Sequence, residues 1–163
     1  NLITKCGWKY DSAADIGPEP VFDPAAILPA DKDGDLAKAL ANSNTLKTDA
    51  VLLENAKRYG GTTEDKYRKQ QANDENTVRS GFLTAYDALL LKKAAYDTKA
   101  AQYAVKAQEL SLSAKQLSLG LAAPMDYART ENETNAARSA MEDAWYDLAE
   151  AKVDYDMAVE GLL

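Results

Sequence analysis

The 163 residues carry 19 Lys and Arg against 26 Asp and Glu, one Cys and no His, for a net charge of −7. This balance argues against a nucleic-acid partner, and the missing imidazole excludes His-based triads, His metal sites and imidazole acid–base catalysis. A lone Cys6 forms no internal disulfide or thiolate cluster, and no stretch nears the ~20 apolar residues of a membrane-spanning helix.

In chain order, residues 1–33 form the first unit, an extended Pro-rich arm. Pro18, Pro20, Pro24 and Pro29 break any helix. Residues 16–30 are expected to run extended, with Val21, Phe22, Ile27 and Leu28 lying along the helices that follow. Residues 1–10 fit the tail of a helix stopped at Gly7. No secretory leader is read at the start, so the chain is expected to be mature or cut from something longer.

The second unit is residues 34–163, with helices expected at about 34–59, 63–118 and 124–162. Asp33 or Asp35 can cap the first, which carries Leu36, Ala39 and Leu40. Asn42-Ser43-Asn44 interrupts it before Leu46, Ala50, Leu53 and Ala56 resume the stripe. Gly60-Gly61 ends it, and Thr62 or Thr63, followed by Glu64 and Asp65, caps the next. Residues 64–81 hold few apolar positions. If they are helical, one rod of about 80 Å runs from 63 to 118. The helix of residues 45–59 then folds back to cover that rod's start, an end expected to fray.

From Phe82 onward a period of seven takes over. Phe82, Leu89, Tyr96, Tyr103, Leu110 and Leu117 form a bulky column, beside a mostly small one of Tyr86, Lys93, Ala100, Ala107 and Ala114. After Gly120-Leu121-Ala122-Ala123-Pro124 the pattern returns as Tyr127, Thr134, Met141, Leu148, Tyr155 and Leu162, beside Thr130, Ala137, Ala144, Ala151 and Ala158. Sevenfold spacing with a 3/4 split is the seam of a coiled coil. Pairing bulky with bulky around the turn predicts Leu89 beside Tyr155, Tyr96 beside Leu148 and Tyr103 beside Met141. It also puts Lys92 opposite Asp154 and Lys99 opposite Asp147. Residues 124–163 carry ten acids and three bases and residues 64–119 nine bases and seven acids, so the arms are electrostatic complements. The fold class is therefore all-α: a long antiparallel helical hairpin, read as a coiled coil, with a shorter third helix packed at the end distal to the turn.

Little in the chain points to chemistry, so the protein is expected to be no enzyme and to hold no cofactor or metal. Glu131/Glu133 and Glu142/Asp143 are the acidic clusters, but neighbours on a helix point about 100° apart, which fits a solvated face better than a cation cage. The tyrosines mostly fall on the seam, a packing role. Trp145 lies beside it, covering its edge or meeting a neighbouring hairpin.

The turn, Leu117-Ser118-Leu119-Gly120-Leu121-Ala122-Ala123-Pro124-Met125-Asp126-Tyr127, resembles the helix–turn–helix tip of TolC-like outer-membrane efflux factors. Residues 151–162 are similar to that family's closing helix. Asn1-Leu2 to Trp8, Ile16 to Pro20 and Asp35 to Leu46 resemble its inter-repeat linker and the first helix of its second repeat. The resemblance implies a periplasmic, helical-tunnel element of a homotrimeric, non-catalytic channel, associated with the outer membrane. Its tip, here Gly120, Leu121, Ala122, Pro124 and Asp126, would dock a membrane-fusion adaptor working with an inner-membrane pump. A plain helix reversal also accounts for Gly120, Pro124 and Asp126. The family's β-hairpin has no counterpart between Arg58 and Arg79, since no alternating strands of barrel length occur there. A scaffolding coiled coil of the cell envelope that forms no channel is the alternative. As an isolated piece, the chain is expected to be a monomer or weak dimer.

Overall fold

A computed structural model describes residues 23, 24 and 26–162, and among these it contains four helices. They are α1 (Lys32–Asn42), α2 (Asn44–Ala56), α3 (Gly61–Ser118) and α4 (Pro124–Val159). The expected Gly7 helix stop, Cys6, Val21 and Phe22 lie outside the described residues. Of the arm, Ile27 is buried in the core while Leu28 is exposed.

Asp31, rather than Asp33 or Asp35, caps α1: its Oδ1 accepts from the Gly34 amide at 2.9 Å. The single helix expected over 34–59 is two. Ser43 leaves the helical region at φ −54, ψ 119 and serves both neighbours. Its amide donates to Ala39 O at 3.1 Å, closing α1, and its Oγ accepts from Leu46 N at 3.4 Å, opening α2. A serine that satisfies orphan groups on both sides makes an elbow without leaving unpaired backbone.

Gly60 and Gly61 take positive φ, 64° and 57°, and α3 begins at Gly61 with no side-chain cap. The expected threonine cap is absent because the two glycines turn the chain before Thr62 is reached. Residues 64–81 are helical and continuous with the rest of α3. At 58 residues it spans about 87 Å, against about 54 Å for the 36 residues of α4. The surplus is covered by α2, where Gln70 Nε2 donates to Asp49 Oδ1 at 3.0 Å.

Helices α3 and α4 pack along their length and run antiparallel. Phe82 meets Tyr155 with ring centroids 5.5 Å apart. Further along, Lys92 Nζ reaches Asp147 at 2.6 Å and Lys106 Nζ reaches Glu133 at 2.9 Å. Thr134 Oγ1 donates to Lys106 O at 3.2 Å. These contacts correct the expected register by one heptad: Tyr155 lies against the rings of Phe82 and Tyr86, and Asp147 is met by Lys92 and not Lys99. The loop explains the shift. Counting nine residues back from Glu133 to Pro124, and nine on from Lys106, puts the start of α4 level with Lys115. The chain doubles back beside the last turn of α3, whereas the expected pairing had the helices ending level.

The core lies away from the turn. Phe82, Leu89 and Leu148 are fully buried, joined by Ile27, Ala39, Ala85, Ala151, Tyr155 and Ala158. Arm, α1, α3 and α4 all contribute there, so a side chain can be covered on every side. Closer to the turn only two helices touch, and Tyr96, Tyr103, Leu110, Leu117, Tyr127 and Met141 stay half-buried.

Near its start, helix α1 is fastened to α4 by a polar contact. The Tyr155 hydroxyl donates to Asp35 Oδ2 at 2.8 Å, and Lys38 Nζ donates to Oδ1 at the same distance. Lys38, then Tyr155, holds the Asp35 carboxyl below its ordinary range. Burial, then Asp35, pushes the Tyr155 phenol well above the usual tyrosine value. Because the Asp35 carboxyl titrates below its unfolded value, its contribution is complete above that value and is lost as pH falls through the lowered one. Tyr155→Phe keeps the ring packing and removes the bond. Chemical denaturation should show a loss of about 1–2 kcal/mol.

Candidate docking site at the helix turn

The turn is built by local rules. The Gly120 amide donates to Leu117 O at 3.0 Å and the Leu121 amide to Gln116 O at 2.8 Å. With Gly120 at φ +69, this pair of bonds is the Schellman closure of a helix C-terminus, which needs a left-handed residue and is best served by glycine. Ala123 is extended, and Pro124 opens α4 at a position where its missing N–H costs no helical bond. Asp126 sits in the first turn, where the helix dipole favours an acid. It is an exposed group, 3.5 Å from Arg129.

The five residues expected at the tip are thus brought together on one end of the rod. Leu121 is 75% exposed, Gly120, Pro124 and Asp126 are exposed, and Ala122 is half-buried. Two members were missed by sequence reasoning: Leu119, 71% exposed, and Met125, 83% exposed. The available signal was three large apolar residues within seven positions of a tight, otherwise small-residue turn. Such residues at a loop tip gain nothing from the fold, and a clustered exposed apolar patch marks an interaction surface. Leu119 also ends a column of exposed apolar residues on α3 that includes Leu91, Val105 and Leu112, at multiples of seven.

The acidic clusters do not converge on an empty centre. Glu133 faces Lys106 across to α3, and Glu142 accepts from Arg138 Nε at 2.8 Å. Lys106 holds the Glu133 carboxyl below its ordinary range. Among the described residues no three His, Cys, Asp or Glu side chains gather as a cation site, and no helix is long and apolar enough to cross a membrane. Trp145 packs edge-on against Tyr146, centroids 5.1 Å apart, beside Tyr96 and Met141. In comparisons with known proteins, no family model, no curated protein and no solved structure matches the chain.

Proposed function

We propose that this chain is a non-catalytic element of a TolC-like export system, a coiled-coil helical hairpin whose tip docks a membrane-fusion adaptor in the cell envelope. The observation that carries the reading is the apolar tip: Leu119, Leu121 and Met125 exposed together at the end of two packed helices. A rod with an apolar end is suited to end-on docking, in which buried apolar anchors supply most of the affinity. The exposed column of Leu91, Val105 and Leu112 supports side-by-side contact with further copies, as a tunnel requires. Only residues 57–60 separate α2 from α3, so the reading is confined to the periplasmic tunnel portion of that architecture. The same short interval favours the second reading, a scaffolding coiled coil of the envelope with no conduit.

The test is binding of the full chain to the helical hairpin of a membrane-fusion adaptor from the same organism, followed by calorimetry. Leu121→Asp and Met125→Asp should each weaken binding by about 10- to 100-fold, the range of a lost interface anchor. The melting temperature should not move, because neither side chain is packed. No measurable binding by the parent chain would sink the docking role and leave the scaffold. Equal binding by the variants would place the contact elsewhere.

A further inference from the structure

The contact of α2 with the far end of α3 is built on an unusual residue. A helix docks by its apolar side, yet α2 buries Asp49 and Ala56 while Leu46, Leu52 and Leu53 are only half-covered. Asp49 is 3% exposed and is the one buried carboxyl among the described residues. Its Oδ1 accepts from Gln70 Nε2. Its Oδ2 is sealed from solvent and no nitrogen or hydroxyl donor reaches it. The group that faces it is a second carboxyl, Asp74 of α3.

Two carboxylates in contact cannot both stay ionised at low cost, and a buried oxygen without a donor is costly by itself. One proton removes both problems: it turns one oxygen into a donor and cancels the like-charge repulsion. A metal ion fits less well. It would need six or more oxygens at about 2.3–2.6 Å if calcium, and neither of the two cavities that Asp74 lines is also lined by Asp49.

The remaining neighbours do not supply a counter-charge to Asp49. On the solvent side, Asp65, Lys66 and Lys69 share a groove with Gln70 and Asp74. On the inner side, Asp74 borders Thr45 of α2, Thr77 of α3, and Ala158 and Gly161 at the end of α4, none of them titratable. On α2 itself, Glu54 is engaged by Lys57 at 2.6 Å.

We propose that Asp49 carries a proton that it donates toward Asp74 across the α2–α3 contact, and that loss of this proton as pH rises releases α2, making it a pH-sensitive clasp on the end of the rod remote from the turn. Burial first, and Asp74 second, raises the Asp49 carboxyl above its ordinary value. A group raised on folding stabilises fully below its unfolded value, near 4, and the contribution disappears as pH climbs through the raised one. That sign is opposite to Asp35 and Glu133, which are held low. Acid therefore tightens α2 while it weakens those contacts.

Hydrogen exchange of the α2 amides in the full chain, corrected for intrinsic rates, separates the effects by location. As pH is raised from about 4, the opening constant of residues 44–56 should rise by up to about tenfold per unit, the limit for one proton, until Asp49 is fully ionised, while amides around Leu89 and Leu148 do not follow. Asp49→Asn mimics the protonated acid: its amide donates to Asp74 and its oxygen accepts from Gln70. The α2 slope should vanish in this variant. It should shrink in Asp74→Asn, which removes the facing acid but leaves Asp49 buried and bonded to Gln70, and which guards against a folding defect at the buried site. A flat profile in the parent chain, or a slope unchanged in both variants, would overturn the proposal. Protection of α2 by excess calcium or magnesium at the alkaline end would overturn it in favour of a cation.

Discussion

Phe82→Ala is expected to cost about 3–5 kcal/mol, the range for emptying a fully buried aromatic site. Phe82 is 1% exposed, touches Tyr155 ring to ring, and lies where arm, α1, α3 and α4 converge. Four contributors cannot all close over the void, so most of the lost volume would persist as a cavity. Against a typical total stability of about 5–15 kcal/mol, that is enough to bring the chain near its unfolding midpoint. Leu117→Ala in the same column, half-buried near the turn, should cost far less. Denaturant titration of the two variants measures the gradient, and equal midpoints would contradict a core gathered at one end.

Gly161→Ala should rank second. Gly161 has φ +71, and an added Cβ would lie 2.6 Å from Ser43 N, 2.7 Å from Asn42 C and 2.9 Å from Ser43 Cα. These are backbone atoms of the α1–α2 elbow, which is also tied to α4 by Asn42 Nδ2 donating to Val159 O at 3.2 Å. No side chain can swing aside, so the elbow itself must move. The left-handed backbone alone costs an alanine about 1–2 kcal/mol, and displacing the elbow should bring the total to about 3 kcal/mol or more. Gly120→Ala is the control: φ is +69 and nothing lies within 4 Å of the added atom. Its loss should be the backbone part only. Matching melting temperatures for the two variants would show that the elbow is not held against Gly161.

The long periods were the readable part. A stripe that repeats every seven residues survives any detail of loop geometry, which is why α3 from Phe82 onward, the 36-residue α4 and their packing follow from it, whereas residues 64–81 carry no such stripe. The register did not follow, because it depends on how far the loop after Gly120 runs back, and no periodicity encodes that distance. On α2 the stripe of Leu46, Ala50, Leu53 and Ala56 was close but rotated: Ala50 is exposed and its neighbour Asp49 is buried. An aspartate reads as surface until a second carboxyl is known to stand across from it, and Asp74 is 25 positions away. Of the docking site, the glycine, proline and acid of the turn were legible by their backbone roles. Leu119 and Met125 were not, because neither falls on a seam column and the period assigns them no role.

The uneven core sets how the rod yields to force. Beyond Leu89 and Leu148 the only described residues buried between the long helices are Ser113 and Thr134, small polar groups that contribute little cohesion. Stiffness therefore falls off from the anchored base toward the reversal. A lateral push bends the distal half first, so the apolar end can swing while the base keeps its aim.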